Sequence, residues 1–290
     1  MKITNVEVSG VASSIVASGY AMRLNIEDCP HEIESLAKVV SEGKEMTDAD
    51  KKHIARLLKL GSQEAGSGHR SLLKGIIVSA DFERTQCIDH QMQRYSFFQY
   101  LTGQSTMHRA KEMKLEGMCH ERTSKKSIEN AQELIDFHNN YDKMVETGSF
   151  SQIELDSRRL GIPYPESKKH LFESVCYSLP QGLQLTVRVS TNYECLLNMY
   201  FQRRYHKLSE WRVFCGWVYS LPFMSDIIDI IDRKRAEGRW QTDVTFELEP
   251  LDGRNFVAEL NNGDLILGKI SYDCILVGMK QNGVKRWKLI

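Results

Sequence analysis

Apolar and polar positions alternate along Lys2 to Val11, the period-two signature of a short strand. Small apolar residues from Ala12 to Leu24 predict a helix, and Pro30 to Leu60 reads as broadly helical. Within it, Thr47-Asp48-Ala49-Asp50 is an N-cap signal. Ile54, Leu57 and Leu58 then recur at i, i+3 and i+4 on one apolar face. Gly61 to Gly68 is a polar, glycine-rich loop, and Leu72 to Ala80 is an apolar run that predicts a buried strand. Glu83 to Gln93 is polar and helical in character. Arg94 to Arg109 is aromatic, then glycine-broken, and predicts a loop over a ligand.

Further on, Ile128, Ala131, Leu134, Ile135 and His138 line one face of a helix over Ser127 to Glu146. Gly148 to Ser167, with Gly161, Pro163 and Pro165, is expected to be an inserted loop. Leu171 to Leu183 and Asn192 to Tyr219 read as helices flanking a strand at Leu185 to Val189. After about residue 240 the pattern changes to short alternating runs. These are 244–246, 256–260, 265–270, 274–277 and 285–290, with Asn262-Gly263 and Asn282-Gly283 as hairpin signals. The expected layout is a main domain over 1–238 and a small β-barrel or β-meander module over 239–290.

Composition narrows the function classes. The chain has 290 residues, 41% of them hydrophobic, enough for one sizeable core. Its 38 basic and 38 acidic residues cancel, where a protein built for nucleic acid usually carries a basic excess. A small ligand is favoured, and nucleic acid is not the expected partner. Seven scattered cysteines without a CxxC pair fit neither a disulfide framework nor a zinc ribbon. No HExxH, GxSxG, Walker A or GxGxxG motif is present, so no metal and no Rossmann-type cofactor fold is expected. No apolar stretch approaches the ~20 residues that span a bilayer. A cytoplasmic location without a membrane role is the expectation.

Two segments concentrate groups suited to a phosphorylated heterocycle. The first, Gly66 to Arg109, holds His69, Arg84, His90, Gln91, Arg94, Gln99, Gln104, Ser105, His108 and Arg109. Guanidinium groups match phosphate oxygens in pairs, and carboxamides match the donor–acceptor edge of a pyrimidine or flavin ring. The second, Asn192 to Trp211, sets Asn192, Asn198, Arg203 and Arg204 among Leu196, Leu197, Tyr200 and Phe201. Taken alone, the first segment is better read as a polar surface helix and loop, and the second as a core helix with a basic end.

Together, in this order, the two segments resemble the flavin-dependent thymidylate synthases. In that family a His closes a short loop, a strand follows, and a helix then carries HQ-x-x-R-H-R and S-x-x-x-S-x-R-Y-like residues. Here Gly68-His69 precedes the apolar run, and Asp89-His90-Gln91-Met92-Gln93-Arg94-Tyr95-Ser96 and Gly103-Gln104-Ser105 follow it. Leu179-Pro180, Asn192, Asn198 and Arg203-Arg204 match the family's second segment, and Tyr141 with Glu146-Thr147-Gly148 matches the helix end before it. The resemblance spans roughly residues 1–225, with an insertion near 149–166.

The resemblance implies an α+β fold of the thymidylate synthase-complementing protein type, with helices packed on a mainly antiparallel sheet. It implies FAD held by His69, Arg94, Asn192 and Asn198. It places Gln104, Ser105 and Arg109 at the reacting base, and Gln91, Arg188 and Arg203 or Arg204 on a pyrimidine deoxynucleotide. It also implies NADPH and methylenetetrahydrofolate as co-substrates, and sites assembled in a homotetramer. The chain departs from the pattern where Arg-His-Arg becomes Arg94-Tyr95-Ser96 and where the closing Arg-Tyr falls on Met107-His108. An arginine expected near Thr186 is offset to Arg188. These changes leave two readings: C5 methylation or hydroxymethylation, with dUMP to dTMP as the simplest case, or a catalytically altered nucleotide-binding or interaction protein.

Overall fold

The computed structural model describes residues 1–236, 255–260, 265–269 and 284–289. In chain order the elements are β1 (Lys2–Ser9), α1 (Val11–Ala17), α2 (Cys29–Glu42), α3 (Asp48–Gly61), β2 (Ile77–Thr85), α4 (Gln86–Met92) and β3 (Gln99–Gly103). Then come α5 (Thr106–Arg109), α6 (Lys125–Glu146), α7 (Phe150–Leu160), α8 (Lys168–Ser178), β4 (Gln184–Asn192), α9 (Tyr193–Arg203), α10 (Ser209–Ser220) and α11 (Met224–Ala236). The strands β5 (Asn255–Leu260), β6 (Leu265–Lys269) and β7 (Val284–Leu289) follow. Backbone contacts divide the chain into two units, one of Met1–Ser9 with Ile77–Cys195, the other of Gly10–Ile76 with Leu196–Ile290.

The first unit is built on a four-stranded antiparallel sheet in the order β1-β2-β4-β3. β4 alternates throughout between buried and less buried positions, and β2 does so up to Arg84, after which Thr85 is buried as well. Their register sets Val78 against Thr191, Ala80 against Val189, Phe82 against Val187 and Arg84 against Leu185. All eight side chains are buried. The period of two therefore puts the whole buried set on one face. Phe98 packs edge-on against Phe82, with ring centroids 5.3 Å apart. α6 buries Ala131, Leu134, Ile135, Phe137 and Tyr141 in a cluster with Ile153 and Leu160 of α7, Leu171 and Val175 of α8, and Leu183 and Leu185. At ~1.5–3 kcal/mol for each large side chain removed from water, this cluster is a main source of the unit's stability.

In the second unit, α3 starts with a capping box. Thr47 Oγ1 accepts from Asp50 N (3.2 Å), and Asp50 Oδ2 accepts from Thr47 N (3.0 Å). The signal read at Thr47–Asp50 is thus realised, with Asp in the role that Glu more often fills. α10 and α11 meet at 105°, across Leu221-Pro222-Phe223, where Phe223 takes φ 61°. Among the described residues no single helix is long and apolar enough to cross a membrane. β5 pairs antiparallel with both β6 and β7. The runs expected at 244–246 and 274–277 lie outside the described residues.

Four expectations need correction. The segment after Gly148 is not an inserted loop, because Phe150–Leu160 forms α7 and buries Ile153 and Leu160. The apolar run at Leu72–Ala80 is a strand only from Ile77; its first part is a 3-10 turn over His69–Gly75. Leu73 and Ile76 are both buried, and their spacing of three suits that tight turn as well as a strand. Arg94–Arg109 contains β3 and α5 rather than loop alone. The long helices split, at Gly43 in the left-handed conformation (φ 64°) and again between Arg203 and Ser209.

Two outcomes test this description. Gly10 has φ 76°, and an added Cβ would lie 2.3 Å from the Gly75 carbonyl oxygen. Gly10→Ala should therefore lower the unfolding free energy by about 1–3 kcal/mol, read from urea denaturation. Buried His53 accepts from Arg56 Nη2 at Nδ1 (2.5 Å) and faces Glu32 through Nε2 (3.2 Å). Burial, then Arg56, lowers its pKa from the ordinary 6.5, and burial likewise lowers His138 and His206. Below that ordinary value the unfolded chain takes up protons that the folded chain resists. Stability should fall as pH drops from about 7 to about 5.5. His53→Gln should flatten the slope of Tm against pH.

Candidate functional site

Within the first unit, β2, α4 and β3 converge on a polar knot. Arg84 is 3% exposed. It donates through Nη1 to the Leu185 carbonyl (2.7 Å) and through Nη2 to Asp89 Oδ1. The Tyr100 hydroxyl donates to the same carboxylate oxygen (2.6 Å), and Gln93 Nε2 donates to the other (2.9 Å). Burial, then the Asp89 carboxylate, pushes the Tyr100 hydroxyl's pKa well up, so it stays a donor. Sequence reasoning included Arg84 but missed Asp89 and Tyr100; the i, i+5 spacing of Arg84 and Asp89 across a strand–helix junction was the available signal.

The loop after β3 carries three of the expected reacting-site residues. Gln104 is tied to β4 twice, through its N–H to the Thr186 carbonyl (2.9 Å) and through Oε1 from Thr186 N (3.1 Å). Ser105 caps α5 by accepting from His108 N (3.4 Å). The Nη1 of Arg109 is buried and has no hydrogen-bond partner. A buried guanidinium nitrogen left unpaired is costly and marks a place where an anion would be stabilised.

The other candidates in this unit differ in how they are committed. Arg94 is exposed just beyond α4, and Gln91 Nε2 makes a long bond to the Cys87 carbonyl (3.5 Å). Asn192 closes β4 and caps α9, its Oδ1 accepting from Cys195 N (2.9 Å). That leaves its NH₂ group available. Arg188 is held by Asp81 Oδ1 (3.2 Å), Glu7 Oε1 (2.9 Å) and the Asn5 carbonyl (2.8 Å).

In the second unit His69 is exposed at the start of its 3-10 turn, after Gly66 and Gly68 at φ 83° and 78°. Its neighbour Arg70 is buried and donates to Asn198 Oδ1 (3.3 Å). The loop of the first segment and the helix of the second therefore meet here, through a residue that sequence reasoning passed over. Arg203 lies over the Trp211 ring at 4.7 Å. Arg204 gives Nη1 to both oxygens of Asp232 (2.8 and 2.7 Å), sits over Phe201 and Tyr205, and keeps a buried, unpartnered Nε.

Thiolate chemistry has no support among the cysteines whose environment shifts them. Burial pushes the Cys119, Cys176 and Cys195 thiols up and the Cys215 thiol to about 12. Among the described residues no group of three or more His, Cys, Asp or Glu is placed to hold a metal ion.

No family model matches the chain, and no curated protein matches it. Solved structures do. A flavin-dependent thymidylate synthase from Helicobacter pylori, complexed with FAD and dUMP, matches over 80% of this chain and 100% of that one. Identity is 13% and the TM-score 0.48. A second Helicobacter pylori structure, also with FAD and dUMP, matches over 80% and 99% at 14% identity and TM-score 0.49. A UMP/dUMP methylase, PolB, from Streptomyces cacaoi, bound with 5-Br dUMP, matches over 80% and 96% at 10% identity and TM-score 0.42. Likeness this distant does not carry a ligand or an activity from those proteins to this chain.

The polar knot yields a stability test. Asp89→Asn would leave the buried Arg84 cation without its carboxylate and should cost about 3 kcal/mol or more. Tyr100→Phe removes one hydrogen bond and should cost about 1.5–3 kcal/mol, because its acceptor is charged. Urea midpoints of the two variants measure the difference.

Proposed function

We propose that this chain binds FAD and transfers a one-carbon unit to C5 of a pyrimidine deoxynucleotide, dUMP to dTMP being the simplest case. The observation that carries this reading is the buried, unpartnered Nη1 of Arg109, at the end of the short helix that follows Gln104 and Ser105, in the segment where the family resemblance puts the reacting base. The donor types that the resemblance assigns suit a flavin dinucleotide. Arg94 and His69 are exposed, Asn192 has its NH₂ group free, and Asn198 is oriented through its carbonyl by Arg70. These four would bind the phosphates, ribose and ring edge of FAD, where charged donors to oxyanions are the strongest hydrogen bonds available.

Gln91 would read the base, and Arg109 would sit against negative charge on the nucleotide. Gln104 and Ser105 would position the ring, their backbone already fixed by β4 and α5. Bound reduced flavin supplies reducing equivalents, with NADPH recharging it and methylenetetrahydrofolate giving the carbon. We also place the working enzyme in a homotetramer in the cytoplasm.

One observation favours the altered-member reading. Arg188 and Arg204, two of the proposed nucleotide ligands, are already committed to carboxylates of their own unit. If they stay there, the substrate phosphate loses two of its proposed ligands, and turnover on dUMP will be weak or absent.

The test is direct. Purified protein should carry a yellow chromophore, or regain one with FAD. It should also release tritium from 5-tritiated dUMP or dCMP only when FAD, NADPH and methylenetetrahydrofolate are all present. Arg109→Ala should lower that release by about 100-fold, the scale for losing a charge-stabilising donor at a reacting centre. Nucleotide binding without tritium release would support the altered-member reading, and protein that cannot take up FAD would refute the flavin assignment.

A further inference from the structure

Within the first unit, α5, the turn after it, α6 and α8 surround a cavity of about 400 Å³. That volume lies in the range typical of small-ligand sites. Met107 and Phe172 give it an apolar wall, while His108, Lys111, His138 and Lys168 give it nitrogen. None of the described residues lining it is acidic. One of them, Lys168, pairs through Nζ with the Asp142 carboxylate. None of the lining residues is assigned above to flavin or nucleotide.

His138 is the informative member. It is 6% exposed, and its ring is tilted against Phe172 with centroids 5.6 Å apart. Asn139 Nδ2 donates to the Lys111 carbonyl (2.8 Å), which fixes the carboxamide and turns its Oδ1 to His138 Nδ1 (3.2 Å). An oxygen there can only accept, so Nδ1 carries the ring proton and Nε2 keeps a lone pair. Burial first, then Lys168 and Lys111, hold the imidazole neutral by lowering its pKa, against Asn139 and Asp142, which raise it.

We propose that this cavity binds a phosphate monoester carried on a flat ring, with Lys111 and Lys168 on the phosphate, Phe172 and Met107 against the ring, and His138 accepting a proton. Two lysines with two imidazoles match a group that bears up to two negative charges and one exchangeable proton. A carboxylate brings neither the second charge nor, near neutral pH, the proton. The groups around His138 are Lys111 from the turn, Lys168 and Phe172 from α8, His108 from α5, and Asn139 and Asp142 from its own helix. An arriving dianion reverses the sign of the field these set, so occupancy raises the imidazole's affinity for a proton.

The probe is phenyl phosphate, titrated into the full chain at low salt. Calorimetry gives the affinity, and the histidine Cε1–H resonances in NMR spectra report the imidazoles; the His138 signal is identified by its loss in His138→Gln. Phenyl phosphate should bind saturably and about fivefold or more tighter than inorganic phosphate, the scale of one aromatic contact. It should shift the His138 resonance and raise its titration midpoint. Lys111→Glu, at an exposed position, should weaken binding by at least about tenfold without lowering Tm, as expected for reversing a contacting charge. His108→Ala, also exposed, should weaken it less.

Absence of saturable binding would overturn the proposal, as would binding that Lys111→Glu leaves unchanged or that does not move His138. Flavin content is read on the same samples, so failure of this site and failure of the flavin assignment appear separately.

Discussion

Nine consecutive antiparallel residue pairs join β2 to β4, from Ile77 opposite Asn192 to Thr85 opposite Gln184. The two strands are more than ninety residues apart in sequence, so pairing them carries a loop-closure entropy cost. Burial on one face of both strands offsets it, and the alternation of burial from Ile77 to Arg84 and along β4 fixes the register. A slip by one residue would turn Val78, Ala80 and Phe82 to the opposite face and bring polar neighbours inside. The placement of Arg84 beside the Leu185 carbonyl, of Gln104 against Thr186 and of Asn192 at the strand end all depend on this register.

The arginines divide by what this scaffold does with them. Arg84 is enclosed by Asp89, Tyr100 and a carbonyl, which satisfy both of its terminal nitrogens and leave only its Nε without a partner. Arg188 crosses the sheet surface to Asp81 and Glu7, and Arg204 is fixed by Asp232 and the rings of Phe201 and Tyr205. Such groups hold strands and helices in place. A buried nitrogen without a partner is common to Arg84, Arg109 and Arg204; Arg84 and Arg204 have a carboxylate on another nitrogen, and among the described residues no carboxylate is paired with Arg109. A buried cation without a carboxylate, such as Arg109 at the end of α5, has the character of a binding group.

Much of the secondary structure was legible because local periodicity and caps encode it. The strand at Lys2–Ser9, the capping box at Thr47–Asp50, the apolar face of α6 and the late strands at 256–260 and 265–269 follow from spacing alone. The failures share a cause. Leu73 and Ile76 suit a turn or a strand equally, and α7 hides between Gly148 and the proline-rich stretch after Gly161 because its few apolar positions gain meaning only against α6. The candidate site was read from sequence as a set of residue types. Which of them remain available was not, because Arg188 and Arg204 find their carboxylates only through folding.

Sequence by itself determined the period-two and period-3.6 faces, the helix caps, and an inventory of amides and guanidinium groups in an order that resembles a flavin enzyme's. Those depend on neighbours within a few residues along the chain. Only the tertiary structure decided the β1-β2-β4-β3 order, the Arg70–Asn198 and Arg84–Asp89–Tyr100 contacts, the solitary Arg109 nitrogen and the lysine–histidine cavity. The physical reason is that desolvation and charge pairing act through space, at a few ångströms, on groups that sequence distance does not order.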